Sequence, residues 1–328
     1  MSIRRFIKFS LHAQLLPILE SGEETLVGGQ AVMEGVMMRA PHSYCTAVRK
    51  PNGEIVTEEA AIAKVSEKYP IFKLPILRGL GTLGQAMNLG FRALKFSANA
   101  ALDDGEAEKT GKKPMEFSGW MMAVNLIFSL GFFIFMYKFV PLVLATQIGK
   151  WVPELSGRFA SNMVDGVLRM LIFLGFLYAI SLTKDIRRVF EFHGAEHKVV
   201  FNFESGKPVN VENAQKFQTW HPRCGTSFLF VVMAIAMVFY ALLPFDTFAA
   251  KFIGRIALLP LIAGTSYELI RFAAKRQGSL MALLTLPGLW LQRVTTKPPS
   301  DDQAGVAIHA LDGAMALEAK QGGELVIA

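Results

Sequence analysis

Long apolar stretches, separated by charged segments, dominate the second half of the chain. Each stretch approaches the ~20 apolar residues that a helix needs to cross the hydrocarbon core of a membrane. Four stretches qualify, at approximately 120–144, 163–182, 227–244 and 252–272. The pattern predicts a mainly α, polytopic membrane protein with about four transmembrane helices.

The distribution of basic residues predicts how these helices are oriented. Lys and Arg are frequent in the N-terminal region, in the segment 183–226 and after residue 271, and sparse in the segments 145–162 and 245–251. Because basic loops tend to stay in the cytoplasm, we expect the segment 183–226 and both termini to be cytoplasmic. An even number of spans agrees with this topology.

Three regions follow from the same reading. Residues 1–116 form a cytoplasmic or interfacial region, residues 117–297 form the transmembrane region, which contains the loop 183–226, and residues 298–328 form a C-terminal cytoplasmic helix and tail. The prolines at 298 and 299, followed by a capping serine and an apolar stripe, predict that this last helix is amphipathic.

The N-terminal region is predicted to be a small α+β segment. A basic amphipathic stretch at 1–16 indicates either a helix lying on the membrane surface or a frayed tail. Two strands around an Asn-Gly turn predict a β-hairpin near 43–58. The stretch 71–102 is apolar but too charged for a span, which favours an interfacial or packed helix pair.

The composition supports the membrane assignment. Apolar residues make up 52% of the chain and charged residues 19%, below the ~25% usual in soluble domains. The net charge of +7 comes from residues flanking the apolar stretches and accompanies no nucleic-acid-reading motif. We therefore expect membrane lipids, and no nucleic acid, as partners. Two cysteines, Cys45 and Cys224, cannot form a disulfide framework.

The clearest chemical motif follows the second predicted span. Residues 192–198, Phe-His-Gly-Ala-Glu-His-Lys, contain H-x-x-E-H, the inverted form of the zincin motif. On a helix His193 and His197 project from one face and can hold one metal ion. Glu196 lies beside that face, where a carboxylate can act as a general base towards water. The simpler alternative is a pair of interfacial histidines bonded to backbone or water.

Further candidate ligands lie near the ends of other spans on the same membrane face. His221 and Cys224 precede the third span with spacing and N/S chemistry that suit zinc. Glu268 lies at the end of the fourth span. Three roles are open for it: a metal ligand, a hydrogen-bond partner of a ligand histidine, or an ion-pair partner of Arg271. If His193, His197, His221 and Cys224 all bind the metal, its tetrahedral coordination shell is full and the site is structural. If only three protein groups bind, water can take the fourth position and Glu196 can serve as its base.

Other signals are weaker. The glycines of G-x-G-x-x-G at 79–84 are interpreted as helix-packing positions, because no strand precedes them as a dinucleotide site requires. Asp165 and Arg169 are predicted to form a structural ion pair. Glu34, in a Gly/Met-rich segment, is a possible neighbour of the metal patch.

Five blocks together resemble the YqhQ-like family of uncharacterised bacterial membrane proteins, described as predicted metal-dependent enzymes. The blocks lie at 28–39, 192–198, 221–228, 266–268 and 291–298, and Lys297 stands where the family pattern has an acidic residue. The resemblance implies a bacterial inner-membrane location. It also places all six candidate site residues, His193, Glu196, His197, His221, Cys224 and Glu268, in recurring blocks.

Two functions therefore remain open. The first is a zinc-dependent enzyme, a hydrolase at the cytoplasmic membrane face with Glu196 as the catalytic base. The alternative is a non-catalytic membrane scaffold or assembly factor with a structural metal site. A transporter is disfavoured, because the span centres hold few ionisable groups and no paired discontinuous helices are evident. The substrate, oligomeric state and protein partners are not predicted.

Overall fold

The fold is described from a computed structural model. It describes residues 27–63, 65, 69–102, 119–221, 224–245, 247–275 and 286–320. The predicted surface helix at 1–16 and the polar linker at 103–114 lie outside these residues.

The described chain is mainly helical, with a small antiparallel sheet near its N-terminus. The strands are β1 Gly28–Val32, β2 Gly35–Arg39, β3 Ser43–Arg49 and β4 Ile55–Ala61. The first seven helices are α1 Leu77–Leu102, α2 Gly119–Ile134, α3 Val140–Trp151, α4 Arg158–Ser181, α5 Lys184–Glu204, α6 Val211–Gln215 and α7 Gly225–Ala241. The remaining helices are α8 Phe248–Ala257, α9 Leu259–Lys275, α10 Leu286–Thr295 and α11 Asp301–Lys320. A π-helical segment, Phe135–Phe139, joins α2 to α3.

The sheet is a meander in which each strand pairs with the next. The predicted hairpin is confirmed: β3 and β4 pair antiparallel in a register that sets Val48 opposite Val56, and Gly53 in the turn has φ +91°, a conformation that favours glycine. The β1–β2 hairpin was not predicted from the sequence. Its strands lack the alternation of apolar and polar residues that marks a half-exposed strand.

Helices cover both faces of this sheet. Val36 and Cys45 face a core that also contains Phe192 of α5 and Leu311 of α11. On the opposite face, the core around Tyr44 includes Leu89 and Ala93 of α1. Burial on both faces accounts for near-continuous apolar runs in β2 and β3, and it fixes α5, the helix that carries the H-x-x-E-H motif, against the sheet.

Among the described residues, two helices are long and apolar enough to cross a membrane, and the number is three if a bent pair of helices counts as one span. The first two are Ala123–Trp151 and Arg158–Ser181, which overlap the first two predicted spans. The third predicted span corresponds to a shorter apolar helix, Phe228–Ala241, and the fourth to α8 and α9, which meet at 46°. The four-span topology therefore stays a prediction.

The segment 71–102 differs from the predicted helix pair. A short 3-10 turn is followed by one continuous helix, α1, of 26 residues. Its glycine-rich start is helical, and Gly79 packs against the ring of Tyr267 at a distance that leaves no room for a Cβ. Of the three glycines in the G-x-G-x-x-G match, Gly79 thus serves helix packing as the sequence indicated, Gly81 lies against the ring of Phe72 in the 3-10 turn, and a Cβ at Gly84 would meet nothing within 4 Å.

Helix α11 is capped as the sequence predicted, and it packs against the sheet. The side chain of Ser300 accepts a hydrogen bond from the backbone N–H of Gln303 at 3.2 Å, and the Gln303 side chain accepts one from the Ser300 N–H at 2.8 Å. This is a capping box. Further along, Glu318 accepts hydrogen bonds from Ser43 and from the backbone N–H of His42, which ties the helix to β3.

Two glycines of α11 make a matched test of this docking. A Cβ at Gly313 would lie 2.6 Å from Sγ of Cys45, whereas a Cβ at Gly305 would meet nothing within 4 Å. We expect Gly313→Ala to lower the free energy of unfolding by about 1–3 kcal/mol through overpacking. Gly305→Ala should leave it unchanged or raise it by up to about 1 kcal/mol. Thermal unfolding of the detergent-solubilised protein measures both, and equal effects would contradict the docking of α11 on β3.

Candidate metal centre

The two histidines of the motif are oriented on α5 by backbone carbonyls. Nδ1 of His193 lies 2.8 Å from the carbonyl oxygen of Thr295, and Nδ1 of His197 contacts the carbonyl of Thr219. A carbonyl can only accept a hydrogen bond, so each Nδ1 carries the proton and each Nε2 is left with its lone pair. This arrangement of a ligand histidine, with its second nitrogen donating to a carbonyl, is usual at metal sites.

Cys224 completes a group of three potential ligands. Its Sγ lies 3.3 Å from Nε2 of His193, and one ligand atom from each of His193, His197 and Cys224 lies within 4.8 Å of the other two. Tetrahedral zinc with ordinary Zn–N and Zn–S bond lengths sets N and S about 3.5 Å apart. Two imidazole nitrogens and one thiolate therefore have the chemistry and the spacing to hold a metal ion.

The segment 215–221, which precedes Cys224, is held in place from both sides. Gln292 of α10 donates to the carbonyl of His221 and accepts from its backbone N–H, both at 2.8 Å. Lys198 of α5 donates to the carbonyls of Gln215 at 2.7 Å and Phe217 at 2.6 Å. These contacts fix residues 215–221, which supply the Thr219 carbonyl.

Gly194 allows the chain after α10 to reach the site. A Cβ at Gly194 would overlap the carbonyl oxygen of Lys297, and the Lys297 N–H donates to the carbonyl of Phe190 at 2.9 Å. The glycine inside the H-x-x-E-H motif is thus required by packing. The close approach brings the Thr295 carbonyl within reach of His193.

Glu196 lies next to both histidines. Its Oε2 is 3.9 Å from Nε2 of His193 and 3.9 Å from Nε2 of His197. The carboxylate is buried, and burial raises its pKa, an effect opposed by nearby histidines and by a hydrogen bond from the backbone of Gly29. A Cβ at Gly29 would lie 2.8 Å from Cγ of Glu196. Strand β1 therefore forms one wall of the site.

Burial also affects His197. Desolvation lowers the pKa of His197 to about 4, despite the opposing influence of Cys224. The imidazole is consequently neutral at pH 7, which is the form that binds a metal.

The structure gives His221 a different partner. Its Nε2 lies 3.4 Å from Oε2 of Glu204, and it is not a member of the three-residue group found among the described residues. Its ring is nevertheless close, with a centroid 5.6 Å from that of His197, and burial lowers its pKa to about 4. His221 thus borders the centre, and its role as a ligand stays a prediction.

Glu268 likewise has other partners. Its carboxylate forms a two-point ion pair with Arg78 of α1 and accepts a hydrogen bond from the Ile76 N–H at 3.1 Å. None of the three roles considered for Glu268 included Arg78. The pair depends on the packing of α1 against α9, which no local pattern indicates. Glu34 is similarly engaged with Arg188.

Several positioning residues were missed by sequence reasoning. Gly29, Gln292 and the carbonyls of Thr219 and Thr295 act through tertiary contacts with residues far along the chain. The available signals were the paired glycines at 28–29 and the polar Gln292, which follows the apolar run Leu289-Trp290-Leu291.

The family of the chain follows from comparison with known proteins. Residues 74–317 match the family described as "Protein of unknown function (DUF1385)". The chain is 36% identical over 298 residues to the "Uncharacterized protein YqhQ" of Bacillus subtilis (strain 168), a match that covers 89% of this chain and 93% of that protein. No solved structure matches. The predicted YqhQ-like resemblance is thereby confirmed, whereas the metal-dependent activity attached to it stays a prediction.

Removal of single side chains tests the assignment of ligands. We expect His193→Ala, His197→Ala and Cys224→Ala each to weaken zinc binding by more than the ~10–100-fold typical of mutating a ligand's hydrogen-bond partner. With His193, His197 and Cys224 as the three ligands, His221→Ala and Glu268→Gln should retain the metal, whereas loss of the metal in His221→Ala would support the four-ligand site. Metal content per chain after purification, with folding checked by thermal unfolding, measures the series. Loss of zinc in Glu268→Gln but not in Cys224→Ala would refute the assignment.

The two cysteines make an internal comparison of thiol reactivity. Cys45 is fully buried, and burial raises its pKa to about 12, so it should resist alkylation in the folded protein. Cys224 is partly exposed, so it should react with a maleimide in metal-free protein and be protected by zinc. Mass spectrometry after labelling, with and without zinc, gives the result. Equal labelling of Cys224 in both conditions would argue against a thiolate ligand.

Proposed function

The chain belongs to the DUF1385 family, and we propose that it is a metal-dependent hydrolase that acts at a membrane surface. The observation that carries this proposal is the convergence of His193, His197 and Cys224 within 4.8 Å. Glu196 adds a carboxylate oxygen 3.9 Å from both histidine nitrogens.

Zinc is the metal that best suits these donors. Imidazole nitrogen and thiolate sulfur in a tetrahedral arrangement are its preferred ligands in proteins. Three protein ligands leave one coordination position open, which is the pattern of catalytic sites. When bound, zinc would supply Lewis acidity towards a carbonyl or phosphoryl oxygen.

Glu196 is the proposed general base. It is buried beside the ligands, and the hydrogen bond from the Gly29 backbone orients its carboxylate. A raised pKa brings a carboxylate closer to the operating pH, which favours proton transfer in both directions. Glu196 would accept the proton of the attacking water and return it to the leaving group.

The position of the centre supports a substrate associated with a membrane. Helix α5 begins two residues after the end of the apolar helix α4. His193 is nine residues into α5, which places it about 14 Å along that helix from its first residue. We propose that the apolar helices lie in the bacterial inner membrane, with the centre on the cytoplasmic side. Lipids and membrane-bound peptides are then the substrate classes to test.

A scaffold or assembly factor with a structural metal is the second candidate. It is favoured by the proximity of His221, which would be a fourth donor and whose ring centroid is 5.6 Å from that of His197. Filling the metal's shell would require His221 to leave Glu204, its partner at 3.4 Å. The two candidates differ in one measurable respect: a structural site has no use for Glu196 as a base.

Substitution of Glu196 tests the hydrolase proposal. We expect Glu196→Gln to keep its zinc and its fold and to lose about 10²–10⁴-fold in kcat, because the amide cannot accept the proton. Glu191→Gln on the same helix is the matched control and should keep full activity. Turnover of lipid and peptide substrates in detergent or vesicles measures the effect. Absence of turnover by zinc-loaded wild type, together with unfolding of His193→Ala, would instead favour the structural role.

A further inference from the structure

Four ionisable side chains are buried where the apolar helices meet. Lys138 lies in the π-helical segment, Asp165 and Arg169 lie on α4, and Arg255 lies near the end of α8. Each is at most 3% exposed. We refer to these four residues as the cationic cluster. The sequence predicted the Asp165–Arg169 ion pair but not the approach of Lys138 and Arg255.

A single carboxylate joins the cluster. Asp165 forms an ion pair with Arg169 and another, at 2.7 Å, with Nη1 of Arg255. Nη2 of Arg255 donates to the side chain of Asn162 at 2.7 Å. Nζ of Lys138 donates to the hydroxyl of Tyr240 at 2.7 Å.

The ring of Tyr240 lies among the three cations. Its centroid is 4.8 Å from the guanidinium carbon of Arg169, 4.9 Å from Nζ of Lys138 and 5.4 Å from the guanidinium carbon of Arg255. The electron-rich face of an aromatic ring attracts cations but carries no net charge. It lessens the repulsion among the three groups without cancelling it.

Positive charge is therefore in excess. Three cations face one carboxylate, Asp165, among the residues that the structure describes. Nη1 of Arg169 and Nε of Arg255 are buried and have no hydrogen-bond partner within that part of the chain. An uncompensated charge in apolar surroundings is strongly unfavourable, so the cluster has room in its charge balance for a second anion besides Asp165, which the described residues do not supply.

The backbone beside the cationic cluster departs from regular α-helix at two places. The π-helical segment offers the carbonyl of Tyr137, which accepts from Nε of Arg169 at 3.1 Å. Arg255 lies just before the 46° bend between α8 and α9. Single π-helical turns are frequent at functional sites, and broken membrane helices commonly surround the binding sites of transporters.

We propose that the cationic cluster binds a phosphate group, supplied by a free oxyanion or by a lipid headgroup. The planar fork of a guanidinium matches the oxygen geometry of phosphate, and a lysine ammonium adds a point charge. This site is distinct from the candidate metal centre: Arg169 and Asp165 lie 12 and 16 residues before the end of α4, about 18–24 Å along the helix.

Removal of one charge tests the proposal. Lys138→Met takes away a cation without breaking the Asp165 ion pairs, and Lys150→Met removes an exposed charge from α3 as the matched control. Inorganic phosphate is titrated against the detergent-solubilised protein, with chloride at equal ionic strength as the reference. Retained phosphatidylglycerol is counted by native mass spectrometry after incubation with phosphatidylglycerol vesicles.

We expect wild type and Lys150→Met to bind one of the two probes, and Lys138→Met to bind it about tenfold more weakly, since a charged hydrogen bond is lost. Binding of inorganic phosphate indicates a free oxyanion, and retention of phosphatidylglycerol alone indicates a headgroup. Should Lys138→Met fail to fold, Arg255→Lys, which keeps the charge and removes the fork, should weaken binding instead. Binding of neither probe by wild type, or unchanged affinity in the folded cluster variants, would overturn the proposal.

Discussion

The approach of residues 292–297 to α5 is the contact on which the candidate metal centre depends. It requires the missing side chain of Gly194, because any Cβ there would overlap the Lys297 carbonyl. Once the segment is seated, Thr295 orients His193 and Gln292 fixes the backbone of His221. Gly194 thus takes no part in the proposed chemistry. It is nevertheless needed for the orientation of His193, because it allows the segment that carries the Thr295 carbonyl to pack against α5.

Only those parts of the candidate site that depend on local helix geometry could be predicted from the sequence. His193 and His197 share one face because four residues make about one helical turn, and their proximity was predictable from spacing alone. Cys224 was reached by arguing that the ends of several spans meet on one side. The partner of Glu268 was not predictable, because Arg78 is brought there by contact between α1 and α9, a contact made possible at Gly79.

The same limit applies to the fold. The β3–β4 hairpin was predictable because an Asn-Gly turn specifies it, whereas β1 and β2 are covered by helices and carry no alternating pattern. Length and hydropathy identified four apolar segments, yet they did not reveal the bend between α8 and α9. The signal was Pro260, which follows the bend and has no N–H to continue a helical hydrogen bond.

Backbone carbonyls at irregular positions serve both polar centres. Thr295 is the last residue of α10, where carbonyls have no partner within the helix, and its oxygen accepts from His193. Tyr137 lies in the π-helical segment, and its oxygen accepts from Arg169. In apolar surroundings an unpaired carbonyl is as costly as an unpaired donor, so each irregularity stabilises the polar side chain that meets it. Average hydropathy registers neither carbonyl, which is why these two hydrogen bonds could not be predicted from the sequence.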